Sequence, residues 1–93
     1  MNDVKTDNET GIAVVESGAL QGKIYLEAYK AGKFALSAGS CVSVDIAGQA
    51  TCGGYGHYTR TYGILTDKIL EIEVVTMDGN VLIANQDQNE DLF

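Results

Sequence analysis

The stretch from Ser37 to Gly63 constrains this chain more than any other part of its sequence. Six of its 27 residues are glycine, charged residues are few, and no hydrophobic period is sustained. A loop of this length in a small domain usually has a function, and its scattered apolar residues argue against disorder. Small residues let a backbone approach a neighbouring group closely and direct its N–H groups towards it. We therefore expect a long packed loop, with one short helical turn over residues 57–62 that Gly63 ends.

The segment before this loop predicts a helix. Leu20, Ile24 and Ala28 recur at i, i+4 and i+8, which is the spacing of one apolar helix face. The pattern spans residues 19–31, and Gly32 follows as the residue that ends the helix. Because its opposite positions are polar, we expect this helix to lie with one face on a sheet.

Short apolar runs predict an antiparallel sheet, which gives an α+β fold with the helix packed on one face. Asp78-Gly79 separates two such runs and indicates a hairpin with a type I′ turn, in which both central residues have positive φ. The two ends of the chain, residues 1–10 and 86–93, are polar. Strands are expected near residues 12–16, 34–36, 69–77 and 80–84.

Length and charge exclude several classes of protein. The 93 residues suffice for one small domain, and six Lys and Arg against thirteen Asp and Glu give a net charge of −7. Binding to nucleic acid or to an anionic membrane requires a basic surface that so few cations cannot form. The chain also has no apolar run long enough for a membrane span or a secretory signal, so we expect a cytoplasmic location.

The cysteines and the single histidine do not form a metal site. Ten residues lie between Cys41 and Cys52, which is not a zinc-binding spacing, and His57 alone cannot complete a ligand set. A disulfide between the two cysteines would be rare in the cytosol. His57 fits a surface position on a helical turn better than the role of a base.

Arg60 and two tyrosines are further candidates. Arg60 is able to pair with Asp67 or to contact a phosphate, and the ion pair is the preferred interpretation. Tyr25 and Tyr29 are one helical turn apart and are expected at the core or its boundary.

Taken alone, the run Gly53-Gly54-Tyr55-Gly56 is a weak motif. Glycine loops bind phosphates where they join a strand to a helix N-terminus, but a tight turn explains four such residues equally well. The neighbouring residues make the run more informative, because several further motifs flank it at fixed spacing.

These motifs together resemble the FAD-binding domain of FAD-linked oxidases related to berberine bridge enzyme and the carbohydrate oxidases. Those enzymes belong to the vanillyl-alcohol oxidase and p-cresol methylhydroxylase (PCMH) class of flavoproteins. The resemblance covers residues 11–93 without a gap. The matching segments are Ala38-Gly39-Ser40-Cys41, Ala47-Gly48-Gln49, Gly53-Gly54-Tyr55-Gly56, Arg60-Thr61-Tyr62-Gly63, Asp67-Lys68-Ile69-Leu70, Val74-Val75, Asp78-Gly79 and Asn89-Glu90-Asp91-Leu92-Phe93.

The resemblance implies FAD as cofactor and a long glycine-rich loop that wraps the flavin. Cys41 stands where many members attach the flavin through a cysteinyl thioether, the alternative being a packed small residue. Gln49 stands where some members have a histidine near the flavin, and Val75 where backbone groups meet the adenine. The remaining positions implied to bind the cofactor are Gly39, Ser40, Gly48, Gly53, Gly54, Tyr55 and Gly56.

Some positions depart from the family pattern. Val42 replaces the usual proline, and Asp45, Ala47 and Cys52 stand where glycine is typical. Asp45 and Cys52 place β-carbons where the family keeps the backbone bare, so we expect them to shift the flavin or weaken its binding.

The same resemblance predicts a single partial domain over residues 1–93, the C-terminal half of an FAD-binding PCMH-type domain. No counterpart of the family's preceding βα unit stands before Gly11, and the chain stops at Phe93, before the tryptophan of the family motif. We expect an excised or truncated piece that is inactive on its own.

In its parent protein this segment would contribute flavin binding to an oxidase. The substrate would be an alcohol, a sugar or an alkaloid-like molecule, and electrons would pass to oxygen. Two alternatives stay open, a non-catalytic fragment without cofactor and a small nucleotide- or ligand-binding module. The open edges of the predicted sheet would allow pairing with a second copy.

Overall fold

A computed structural model describes residues 1–93 and confirms an α+β fold. The strands form two separate two-stranded antiparallel sheets, so the expectation of one continuous sheet is wrong. In chain order the elements are β1 (Val4–Thr6), β2 (Ala13–Val15), α1 (Gln21–Gly32), α2 (Ile46–Ala50), α3 (Thr59–Tyr62), a 3₁₀ turn (Thr66–Lys68), β3 (Ile72–Val75) and β4 (Val81–Ala84).

The first hairpin joins β1 and β2, with Val4 opposite Val15. The strand expected over residues 12–16 is present, but residues 1–10 are not merely a polar end. Val4 is buried and packs with Ala19 and Ile24, and this contact holds β1 against helix α1. The contact of one apolar side chain, Val4, therefore positions a strand within an otherwise polar segment.

Helix α1 confirms the predicted helix, and Ile24 and Ala28 of its predicted apolar face are buried, but Leu20 is not part of the buried face. Its buried residues are Gln21, Ile24 and Ala28, whereas Leu20 is 46% exposed. Tyr25 is half-buried, but Tyr29 is 60% exposed, so the expectation that both tyrosines lie at the core is wrong for Tyr29.

The C-terminus of α1 explains why residues 34–36 do not form a strand. Lys33, rather than Gly32, adopts the left-handed conformation that ends the helix, with φ of 58°. The next N–H group, that of Phe34, donates to Ala28 O at 3.2 Å within the helix end. The Phe34 ring lies against the backbone of Gly11 and Gly32, where an added Cβ would approach ring atoms within 3.1 Å and 2.6 Å. Packing, and not strand pairing, therefore fixes this segment.

The second hairpin joins β3 and β4, as predicted, with Ile72 opposite Ala84 and Val75 opposite Val81. Its turn is not type I′, because only Gly79 of the central residues has a positive φ, 84°. Two hydrogen bonds, Gly79 N–H to Thr76 O and Thr76 N–H to Asn80 O, both 2.9 Å, close a longer loop. No hydrogen bond joins residues 69–93 to residues 1–65.

The hydrophobic core is small. Ten of the 93 residues are buried, and the central cluster consists of Val4, Ala19 and Ile24. Val15, Leu36 and Ile46 pack around this cluster, so it joins the first hairpin, α1 and the start of α2. None of the helices has the length and apolar character needed to cross a membrane.

Because Ile24 is central to this core, its truncation should be costly. We expect Ile24→Ala to lower the free energy of unfolding by about 2–5 kcal/mol, since it leaves a cavity between α1 and β1. Leu26→Ala on the same helix is the matched control, because Leu26 is 52% exposed. The denaturant midpoint of the complete protein measures both, and equal losses would contradict the assignment of the core.

Candidate functional site

The loop that carries Cys41 is attached to the N-terminus of helix α1. We call residues 38–44 the cysteine loop. Gln21 N–H donates to Val44 O at 2.9 Å, and Gly22 N–H donates to Val42 O at 3.0 Å. Glycine at position 22 permits this approach, because a Cβ there would lie 3.1 Å from the Val42 Cβ. The loop thus satisfies N–H groups that a helix leaves unpaired at its start.

A second set of contacts holds the other end of the cysteine loop. The Gln21 side chain is fully buried, and its Nε2 donates to Gln49 Oε1. Gly39 N–H donates to the same Gln49 oxygen at 3.2 Å. The Tyr25 hydroxyl shares its proton between Gln21 Oε1, at 2.8 Å, and the Gly39 carbonyl oxygen. We call Gln21, Tyr25 and Gln49 the polar clamp, since together they engage both backbone groups of Gly39.

Burial has an electrostatic consequence within the polar clamp. It raises the pKa of Tyr25, because the phenolate would lose hydration that the neutral hydroxyl does not need. The hydroxyl therefore stays protonated and remains a hydrogen-bond donor.

Helix α2, which the sequence did not predict, explains one departure from the family pattern. Asp45 is its N-cap residue, and Oδ1 accepts a hydrogen bond from Gly48 N–H at 2.9 Å. The carboxylate thus satisfies an unpaired N–H of the first turn. The helix in turn directs the Gln49 side chain towards Gly39, so both Gly48 N–H and the Gln49 amide are engaged within the chain.

Residues Gly53–Gly56, the glycine turn, lie against the cysteine loop. Gly53 and Gly54 have φ of 92° and 68°, a conformation that favours glycine. A Cβ at Gly54 would lie 2.8 Å from the Leu65 Cβ, and one at Gly56 would overlap the Ala38 carbonyl oxygen. The small residues of this region are therefore required for contact between two segments of the same chain.

Cys41 lies at the exposed surface of the cysteine loop. Its Sγ is 3.3 Å from Ser43 Oγ, and this hydrogen bond, with the Ser43 backbone N–H, lowers the pKa of the thiol. The thiolate is the nucleophilic form of cysteine. Cys41 and Cys52 are both exposed and not bonded to each other.

Unpartnered backbone N–H groups lie on both sides of this region. Those of Ser40, Cys41 and Val42 in the cysteine loop, and of Gly54 and Tyr55 in the glycine turn, donate to no group of the chain. Together with the Cys41 thiol they are the hydrogen-bond donors and the nucleophile of this region that the chain itself leaves unused.

The other candidate residues lie apart from this set. His57 is exposed, as expected, and no group of three His, Cys, Asp or Glu side chains is arranged to hold a metal ion. The prediction of an ion pair between Arg60 and Asp67 is wrong, because Asp67 Oδ2 instead accepts a hydrogen bond from Ile64 N–H at 3.0 Å. Val75 lies on β3 and is 68% exposed.

Sequence reasoning missed Gln21 altogether. A glutamine at the start of a helix ordinarily indicates a solvated position. The available signal was its spacing, because Gln21 lies three residues before Ile24 and seven before Ala28, on the face that is buried.

Comparisons with known proteins find close relatives. A family model described as "FAD binding domain" matches residues 1–85. Xylooligosaccharide oxidase of Thermothelomyces thermophilus is 38% identical over 93 residues, which are 100% of this chain and 19% of that enzyme. Tetrahydroberberine oxidase of Berberis wilsoniae is 34% identical over 94 residues, covering 100% of this chain and 18% of that enzyme.

The fold has close counterparts among solved structures. Glucooligosaccharide oxidase from Acremonium strictum, described as containing a 6-S-cysteinyl, 8α-N1-histidyl FAD, matches with a TM-score of 0.95 and 33% identity. The match covers 100% of this chain and 19% of that one. The chain thus spans about a fifth of the length of the curated relatives it matches.

The contact between glycine turn and cysteine loop predicts the effect of a small substitution. Gly56→Ala should lower the unfolding free energy by about 2 kcal/mol or more, because the new Cβ must displace the Ala38 backbone. Gly79→Ala is the control, because no atom lies within 4 Å of its added Cβ. Its unfolding free energy should fall by only about 1 kcal/mol, the cost of placing alanine in the left-handed conformation. Denaturant titration of the complete protein compares them, and a smaller loss at Gly56 would contradict the packing.

The Cys41 thiol should ionise at a lower pH than an ordinary cysteine. In a Cys52→Ser background free of cofactor, the iodoacetamide alkylation rate should rise with a midpoint below the usual thiol pKa, since Ser43 stabilises the thiolate. Ser43→Ala should move that midpoint to higher pH, whereas Ser17→Ala, remote from the thiol in sequence and exposed, should not. An unchanged midpoint in Ser43→Ala would refute the assigned hydrogen bond.

Proposed function

The chain belongs to the FAD binding domain family, and we propose that its cysteine loop and glycine turn hold the flavin of an FAD-dependent oxidase. FAD is the cofactor of this family. Bound FAD supplies two-electron redox chemistry, and the protein supplies binding, orientation and electrostatic tuning. The observation that carries the proposal is the exposed Cys41 thiol of lowered pKa among unpartnered backbone N–H groups.

The residues present fit a flavin in chemical type. An isoalloxazine ring offers carbonyl oxygens and ring nitrogens that accept hydrogen bonds, and the N–H groups of Ser40, Cys41 and Val42 are donors without partners. Gly54 and Tyr55 supply two more from the glycine turn. Gly39 is buried, so we propose that it supports the site from beneath, while Val75 on the second hairpin remains the candidate for the adenine end.

We propose that Cys41 attaches the flavin covalently. The thiolate would add to a carbon of the oxidised ring, forming a carbon–sulfur bond as the hydrogen of that carbon leaves as a proton. The two electrons gained by the ring would pass to dioxygen, which becomes hydrogen peroxide. The relative with a 6-S-cysteinyl FAD supports this chemistry for a cysteine in such a loop.

For the complete protein we propose oxidation of a sugar. The hydroxyl-bearing carbon of the substrate would lose its hydrogen with two electrons, the hydroxyl would lose a proton, and dioxygen would take up both electrons and both protons as hydrogen peroxide. Support comes from the relatives, which include a xylooligosaccharide oxidase and a glucooligosaccharide oxidase. An alkaloid-like substrate is the second candidate, supported by the tetrahydroberberine oxidase.

A non-catalytic chain without cofactor is the rival function for these 93 residues by themselves. It is favoured by the small core, in which only ten residues are buried. Large apolar side chains such as Met77, Tyr55 and Val14 are exposed, and both sheets have unpaired edges. Either the rest of a longer protein or a second copy would cover them.

The attachment is tested by the mass of one peptide. Trypsin cleaves after Lys33 and Arg60 and releases residues 34–60, which contain both cysteines. We expect this peptide from the complete protein to carry the flavin in the unchanged form and in Cys52→Ala, but not in Cys41→Ala. A flavin-free peptide from the unchanged protein would contradict attachment at Cys41, and loss of all bound FAD would favour the rival function.

A further inference from the structure

We propose that the polar clamp of Gln21, Tyr25 and Gln49 is a positioning device that sets the Cys41 thiol for bond formation with the flavin. The inference rests on the proposed function, since it concerns how the chain prepares the attachment. None of the three side chains needs to touch the reacting atoms. They act through Gly39, whose backbone lies two residues before Cys41.

The first step of the argument is that Cys41 lies between two fixed points. Before it, the polar clamp holds both the N–H and the C=O group of Gly39. After it, the N–H groups of α1 hold the carbonyl oxygens of Val42 and Val44. Between these points the N–H groups of Ser40 and Cys41 have no partner in the chain, both residues are exposed, and Cys41 O accepts a hydrogen bond from Val44 N–H at 3.3 Å.

The second step is that the start of one helix, α1, contacts the cysteine loop on both sides of Cys41. Gln21 donates its backbone N–H to Val44 O and its side-chain amide to Gln49. One turn further along α1, Tyr25 reaches the Gly39 carbonyl. The position of the cysteine loop is therefore set by the first two turns of α1, which also pack Ile24 into the core, together with Gln49 of α2.

The third step concerns polarity. Gln21 occupies a fully buried position on the core face of α1, where an apolar side chain would need no partners. A buried amide without partners is destabilising, so a side chain of this kind specifies a geometry more strongly than it adds stability. Here its Nε2 donates to Gln49 and its Oε1 accepts from Tyr25, and these two side chains in turn hold Gly39.

The hold on Gly39 matters for the rate of attachment, because a carbon–sulfur bond forms only between well-aligned atoms. A nucleophile reacts at a useful rate only when it is held near its attack distance and direction, and small misplacements lower the rate many-fold. Loosening Gly39 should therefore slow the formation of the carbon–sulfur bond. It should affect reversible FAD binding less, because no hydrogen bond joins the glycine turn to the polar clamp.

The test compares two tyrosines on one helix in the complete protein, prepared without flavin and then mixed with FAD. Tyr25→Phe removes only the clamp hydroxyl, and Tyr29→Phe removes an exposed hydroxyl that has no hydrogen-bond partner one turn later. We expect Tyr25→Phe to slow covalent attachment about fivefold or more, with total bound FAD within about twofold of the unchanged protein. Tyr29→Phe should match the unchanged protein in both.

Two further measurements keep the outcome decisive. Gln21→Met, which keeps the length of the side chain without its amide, should reproduce the split between attachment and binding. In flavin-free Tyr25→Phe with Cys52→Ser, the pH midpoint of Cys41 alkylation should move upward, because a loosened loop weakens the Ser43 hydrogen bond. This midpoint would not move if Tyr25 only stabilised the fold.

The other possible results overturn either the positioning role or the attachment itself. Parallel loss of attachment and of total FAD binding in Tyr25→Phe would overturn the positioning role, as would attachment at the unchanged rate. If the protein without substitutions binds FAD but does not attach it covalently, the proposed attachment at Cys41 is overturned instead. Covalent attachment in this protein is therefore measured before any variant is compared with it.

Discussion

The N-terminus of α1 needs acceptors for its backbone N–H groups, and the rest of the structure depends on where they come from. No side chain caps this helix. The carbonyl oxygens of Val42 and Val44, about twenty residues later in the chain, take that place. To reach them, the cysteine loop must cross the helix start, and this crossing brings Gly39 within reach of Tyr25. The hydrogen bonds that cap the helix are therefore also the ones that place the cysteine loop.

Glycine has two meanings in a loop of this kind, and the structure separates them. At Gly56 and Gly39 a side chain would collide with the chain's own atoms, so these glycines serve internal packing. At Gly53 and Gly54 positive φ requires glycine in addition. A glycine-rich stretch thus indicates close backbone approach, but the approach is first of all between loops, and a ligand site arises where N–H groups remain unpaired.

What the sequence could predict depended on how local each signal was. Helix α1 and the second hairpin carry their own periodicity, and both were found. Strand β1 was missed because its formation depends on one contact of Val4 with Ile24, far along the chain. Helix α2 escapes prediction because five residues show no hydrophobic period. In the sequence alone, Asp45 stands out only as a β-carbon in place of a family glycine, and not as the N-cap that it is. Gln21 was missed because its partner Gln49 is 28 residues away.

The interior contacts also decide what remains for a cofactor. Gly48 N–H is bonded to Asp45, and the Gln49 amide is bonded to Gly39, so two of the expected flavin contacts are directed inward. The cost of that arrangement is fewer donors for reversible binding. A thioether at Cys41 would offset it, because a covalent bond holds the ring regardless of how many N–H groups contact it. The inward hydrogen bonds and the Cys41 thiol are then complementary parts of the proposed site: the hydrogen bonds fix the loop, and the thiol would retain the flavin.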